Sequence, residues 1–171
     1  MYYNINFKNL LFDFRSDINY IAWVIISILK SFDCNSKRNS FKDYRKLGLI
    51  IELIFRNEET DVFIKFLKNE KLNAYELQIL SSCYFKSKLE ENSMNTAFIV
   101  LEKKEFVCFY KTIKSSNVFY NSCEWINNCS EITNITHNLN RLSIFKDKIY
   151  KMDYEHFIKN IAKLKEGNLH E

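Results

Sequence analysis

NAYELQILSSCYFKSKLEENSMNTAFIVLEKKEFVCFYKTIKSSNVFYN, residues 73–121, is the stretch whose reading decides the fold. Asn73 followed by Glu76 makes a capping-box start, each side chain placed to satisfy the other's backbone N–H. The helix it opens runs through Leu77, Leu80 and Tyr84. Residues Glu90 to Ser93 read as a turn, with Ser93 placed to cap the next helix. That second helix carries Met94, Ala97, Phe98 and Leu101 at helical spacing. The pair Lys103-Lys104 closes it where the macrodipole favours cations. EFVCFYKTI is then a β-branched and aromatic run, KSSN a polar turn in which Asn117 tolerates left-handed backbone, and VFYN a second strand. Helix, turn, helix and hairpin, in that order, are the parts of a winged helix-turn-helix unit.

Outward from this stretch the period stays helical. Toward the N-terminus, Tyr3, Ile5 and Phe7 alternate as a short strand or arm. Ser16 is placed to cap a helix to about Ser31, with Ile18, Ile21, Ala22, Ile25, Ile28 and Leu29 inward. FDCNSKRNS (32–40) is a polar loop. A helix over about Phe41–Arg56 turns Tyr44, Leu47, Ile50, Ile51, Ile54 and Phe55 inward. Another over about Glu58–Lys68 buries Val62, Phe63, Phe66 and Leu67 and has acidic residues in its first turn. Toward the C-terminus, Trp125, Cys129, Ile132, Ile135, Leu139, Leu142, Phe145 and Ile149 recur every three or four residues, as one long helix or two broken near Asn138. Asp153 is placed to cap a last helix with Phe157, Ile158, Ile161 and Leu164 inward and Gly167 at its end. The expected fold is mainly α: a helical bundle with a winged-helix-like core and one short β-hairpin. It is a single domain over 1–171, with an N-terminal helical part (1–70), the winged-helix-like core (71–121) and C-terminal helices (122–171).

Composition narrows the chemistry. The 171 residues contain two glycines, Gly48 and Gly167, and no proline. Loops that cradle phosphate need glycine where backbone meets ligand or turns with positive φ, so a P-loop or dinucleotide fold is not expected. Hydrophobic residues make up 47% of the chain, enough to fill a core and to exclude disorder. The five cysteines (Cys34, Cys83, Cys108, Cys123, Cys129) are odd in number and irregularly spaced, which fits a reducing, cytoplasmic setting. The start lacks the features of a secretory signal. The most apolar run, Ile18–Leu29, is too short to span a bilayer, so no membrane association is expected.

Reactive side chains are sparse. His137 lies in a polar stretch, His156 in the first turn of the last helix and His170 near the end, none near a Ser or Cys in the glycine-flanked context of a nucleophile elbow. Cys123, Cys129 and His137 form the nearest metal-like cluster. Structural zinc uses tighter pairs, and on a helix positions 123 and 129 fall on nearly opposite faces. Glu58-Glu59 and Glu90-Glu91 sit at helix starts or turns, as solvated capping charges do. No catalytic, cofactor or metal residue is assigned.

The basic residues are better organised. Lys30, Lys37, Arg38, Lys42, Arg45 and Lys46 stand against Asp33 and Asp43, an excess of four that equals the net charge of the whole chain, +4. Lys103, Lys104, Lys111 and Lys114 add charge to the second helix and the hairpin of the core. The candidate contacts for nucleic acid or a partner are Lys37, Arg38, Lys42, Arg45, Lys46, Lys103, Lys104, Lys111 and Lys114. A helix that reads base edges also needs outward Arg, Asn or Gln. Asn95, Thr96 and Glu102 offer little of that, and the hairpin is rich in Phe and Tyr. Protein contact is therefore the expected use, with a winged-helix DNA-binding regulator as the alternative.

INYIAWVIISIL, the polar loop, FKDYRKLGLIIELI, the winged-helix-like core and MDYEHFIKNIAKL come in an order that resembles the small middle component of bacterial ABC-three-component systems, including the small subunit of Lamassu-type defence systems. Gly48 departs from that pattern. The resemblance implies a non-catalytic adaptor, without a cofactor, in a cytoplasmic antiviral complex. Its partners would be an SMC-type ATPase and an effector nuclease, joined in a hetero-oligomer that reaches DNA through the complex.

Overall fold

The computed structural model describes residues 17–113, 115–121 and 133–152, together with 154, 155 and 158. Among these the chain is mainly helical, with seven helices and one two-stranded antiparallel hairpin. The expectations for the N-terminal arm, for Ser16, for Trp125, Cys129 and Ile132, and for the helix after Asp153 with its Gly167 end, apart from 154, 155 and the core-packed Ile158, lie outside the described residues.

Helix α1 spans Ile18–Ser31. Its cap is Asp17, whose Oδ1 accepts the N–H of Asn19 at 2.8 Å and of Tyr20 at 3.4 Å. Val24 and Ile26 are buried along with Ile21, Ile25, Ile28 and Leu29. The apolar surface thus wraps most of the helix, wider than the stripe its spacing predicts.

Helix α2 (Lys46–Ile54) is buried at all nine positions and forms the centre of the molecule. The expected start at Phe41 is a correction. Asp43 adopts φ 62°, which a right-handed helix does not tolerate. Phe41 exchanges both backbone hydrogen bonds with Val118, and the Tyr44 N–H reaches the Ser116 carbonyl at 3.0 Å. Pairing with a distant strand replaces the first turn of the helix that local spacing favours. Gly48 lies where α2 crosses the following helices: a β-carbon there would stand 3.0 Å from Met94 Sδ and 3.9 Å from Ser87 Cβ.

Helix α3 (Asn57–Leu67) carries Glu58 and Glu59 in its first turn. Helix α4 (Ala74–Leu89) opens on the complete capping box: Asn73 Oδ1 accepts the Glu76 N–H, and Glu76 Oε2 accepts the Asn73 N–H, each at 2.9 Å. Helix α5 (Glu91–Lys103) follows after a single-residue corner at Glu90. The expected four-residue turn is absent and Ser93 lies inside α5, so it caps nothing. Met94, Ala97, Phe98 and Leu101 are buried as a set, mainly against α1.

Strand β1 (Val107–Lys111) pairs with β2 (Ser116–Tyr120), placing Phe109 opposite Val118 and Tyr110 opposite Asn117. Asn117 is a buried strand residue, not part of the turn. Residues 34–44 run along the far edge of β2: the Cys34 carbonyl accepts the Tyr120 N–H at 2.9 Å, in line with the bonds at Phe41 and Tyr44. Helices α6 (Thr133–Ser143) and α7 (Lys146–Lys151) close the core with Ile135, Leu139, Leu142 and Ile149. They break at Ile144-Phe145; Asn138 is fully buried inside α6, where its Nδ2 donates to the Ile54 carbonyl at 3.0 Å.

Candidate functional site

The structure divides the basic residues. Lys37, Arg38 and Lys42 are exposed on the segment that borders β2. Arg45 is tied to Asp43 by two bonds, Nε to Oδ1 at 2.8 Å and Nη2 to Oδ2 at 2.6 Å, and lies 4.8 Å from the Tyr154 ring centre. The hydrogen bond with Asp43 is the main reason its pKa is raised. Lys46 is no surface group at all. It is 2% exposed, and its ammonium donates to the carbonyls of Ile149 at 2.8 Å and Met152 at 3.0 Å, satisfying the end of α7. Lys103 and Lys104 are exposed at the end of α5 and Lys111 at the end of β1; Lys114 lies outside the described residues.

Tyr110 organises the first group. Its hydroxyl donates to the Lys37 carbonyl at 3.1 Å, accepts from Asn117 Nδ2 at 3.1 Å and meets Ser40 Oγ at 2.8 Å. The Lys37 ammonium stands 5.4 Å from the ring centre, within cation–π range. Burial pushes the phenol up. The hydrogen bonds with Ser40 and Asn117 and the charges of Lys37 and Lys42 together outweigh that and bring its pKa below the ordinary value. All of its hydrogen-bonding capacity goes into pinning the loop to the hairpin.

The opposite face of the hairpin is different in character. Side chains alternate along a strand, so Phe109 and Lys111 face away from Tyr110. Phe109, Phe98 and Tyr44 meet edge to face, with ring centres 5.2–5.5 Å apart. They floor an open groove of about 510 Å³ between α5 and β1, walled by Asn95, Ile99 and Glu102 on the helix and by Lys111 and Ser116 on the hairpin. Ile99 is 53% exposed there. On α4, Phe85 and Leu89 lie one turn apart and are 60% and 81% exposed. The groove went unread in the sequence because it forms only where the hairpin folds back beside α5, although the helical spacing leaves Ile99 off the buried face.

The remaining candidates are dispersed. His137 is exposed on α6, while His156, His170, Cys123 and Cys129 lie outside the described residues. Cys34 is buried with its sulfur 2.9 Å from the Tyr150 hydroxyl, and burial pushes its thiol up to about 11, against the Tyr150 hydrogen bond. Such a thiol is a poor nucleophile near neutrality. Tyr150 is raised as well, again first by burial. Among the described residues no group of three or more His, Cys, Asp or Glu is placed to hold a metal, and no helix is long and apolar enough to cross a membrane. Compared with protein-family models, curated proteins and solved structures, the chain finds no match in any of the three.

Proposed function

We propose that this protein is a non-catalytic adaptor subunit that works by surface contact in the cytoplasm, bridging an SMC-type ATPase and a nuclease effector in a bacterial defence complex. The identity of those partners rests on the resemblance of the chain's ordered parts to the middle component of ABC-three-component systems. The observation that carries the contact reading is the groove between α5 and β1, with an aromatic floor and an exposed Ile99. The exposed Phe85–Leu89 pair adds a second apolar surface. Large apolar side chains grouped at the surface mark interfaces more often than they serve a free monomer.

Co-expression with the products of neighbouring genes, followed by affinity purification and size-exclusion chromatography, tests this. A stable complex containing the ATPase is the expected result. A monodisperse monomer that ignores every neighbouring product overturns the reading.

A second reading, a winged-helix DNA-binding regulator, is favoured by the exposed Lys103 and Lys104 at the end of α5 and Lys111 at the end of β1. It requires salt-dependent binding to duplex DNA that is abolished when these residues and Lys114 become Glu. Unchanged binding in that variant, or none in the wild type at low salt, removes it.

A further inference from the structure

We propose that the outer edge of β1 receives an extended segment of a partner protein, which adds to the hairpin as a new strand and lays alternate side chains in the groove against α5. The proposal rests on the adaptor reading and names how such a partner is held.

The backbone register decides which edge is open. Phe41 takes both the N–H and the carbonyl of Val118, and Tyr44 takes the carbonyl of Ser116. These β2 groups therefore point away from β1. Their partners across the hairpin, Phe109 and Lys111, must by antiparallel geometry point their own N–H and C=O groups outward on the other side. These four groups have no hydrogen-bond partner among the described residues. The matching edge of β2 is covered by residues 34–44, whereas no segment among the described residues covers the edge of β1.

The groove borders this open edge and extends across the hairpin face to Ser116 and Tyr44. Phe109, Tyr110 and Lys111 all line it, yet the Tyr110 hydroxyl is engaged on the other face with Ser40 and Asn117. Three consecutive strand residues reach one groove when its wall includes their shared backbone edge. An incoming strand thus finds unpaired donors and acceptors on one side and an apolar surface of Phe98, Phe109 and Ile99 on the other, the two requirements of strand addition. Its charge is set by the rim. Among the described residues, Lys111 is the one cation in the lining and stands at the hairpin end, and Glu102 in the wall is the one anion. The complementary segment alternates large apolar residues with polar ones and carries one acidic residue to meet Lys111.

The test uses the full chain and a phage-displayed random heptapeptide library as probe. Two variants probe the site: Lys111→Pro, which removes an outward N–H that the hairpin does not use, and Ile99→Glu, which charges the exposed wall. Ile144→Glu, at an 80% exposed position between α6 and α7, is the control. Expected are enriched peptides that alternate apolar and polar residues and carry an acidic one, bound about tenfold or more weakly by both groove variants and normally by the control. Hydrogen exchange then shows new protection at the amides of Phe109 and Lys111. No enrichment, binding indifferent to both variants, protection elsewhere, or displacement of the peptides by a DNA duplex each overturns the proposal. If circular dichroism shows that Lys111→Pro has unfolded, Ile99→Glu carries the test. A partner complex that survives both variants keeps the adaptor reading and rejects the groove. Peptides that bind while no partner complex forms do the reverse.

Discussion

The side-chain oxygen of Asn117 accepts the backbone N–H of Asp43 at 3.1 Å, joining β2 to a residue whose backbone is left-handed. The same Asn117 donates through Nδ2 to Tyr110 and accepts from Ser115 Oγ at 2.9 Å. One buried amide thus holds the 34–44 segment, the β1 face and the hairpin turn together. Replacing Asn117 by Leu leaves the Asp43 N–H without its acceptor in a buried place, at a cost of about 1–3 kcal/mol. Urea unfolding measures the loss. Faster hydrogen exchange at Phe41 and Tyr44 locates it in the loop, and unchanged exchange there counts against this role.

Gly48 makes a prediction about size. Its missing side chain lets α2 lie against Met94, 3.0 Å from where a β-carbon would sit. Gly48→Ala gains helix propensity of about 1 kcal/mol, and this roughly cancels the displacement of the methionine sulfur. Gly48→Leu has no such balance, because its branches enter a packed core and cost about 1–3 kcal/mol. Thermal unfolding of the two variants separates these outcomes, and a Leu variant as stable as wild type rejects the close-approach explanation. The departure from the resembled pattern at this position thus has a packing reason.

The parts of the fold legible in the sequence are those whose causes are local. Asn73 and Glu76 are three residues apart and satisfy each other, so the start of α4 can be read without the rest of the chain. The inward face of α5 is similar, because Met94, Ala97, Phe98 and Leu101 repeat at the helical period. Phe41 and Lys46 show the opposite case. Both fit a helix that starts at Phe41 and presents a basic outer face, yet Val118 takes the backbone of one and the end of α7 takes the ammonium of the other. No local pattern records a partner that distant. The C-terminal stripe, read as one long helix or two broken near Asn138, is broken instead at Ile144-Phe145 within the described residues, and the Asn138 amide is used internally on the Ile54 carbonyl. The candidate site divides along the same line. Exposed lysines were readable from composition, whereas the groove depends on how the hairpin folds back beside α5.

Acid sensitivity follows from Glu76. Its pKa is lowered, first by the hydrogen bond from Lys65 at 2.5 Å and then by the Asn73 N–H. A carboxylate held below its ordinary value contributes stability above that value and loses it as pH falls through the lower, folded one. Glu76→Gln keeps an oxygen for the capping box and removes the charge. The wild type's advantage over this variant is therefore full at neutral pH, shrinks below the ordinary carboxylate value and vanishes at stronger acid. Urea midpoints of both proteins taken across that range check it; a gap that ignores pH shows that the Lys65 pair does not stabilise the fold.

Lys46 supplies the strongest separation between structural and functional charge. Its buried ammonium donates to the carbonyls of Ile149 and Met152 and lies 5.8 Å from the Phe41 ring centre. A methionine of similar length fills the space and relieves the desolvation of the charge, but leaves two carbonyls of the α7 end without a donor. Hydrogen bonds to charged groups contribute about 1.5–3 kcal/mol, and removing a buried charge returns part of that. Lys46→Met is expected to destabilise the protein by about 1–3 kcal/mol, with faster hydrogen exchange concentrated in α7. Lys42→Met, at an exposed position of the same segment, is expected to leave stability within about 0.5 kcal/mol. Equal stability losses in the two variants, measured by denaturant unfolding, contradict the division of the basic cluster into one buried tie and a separate exposed surface.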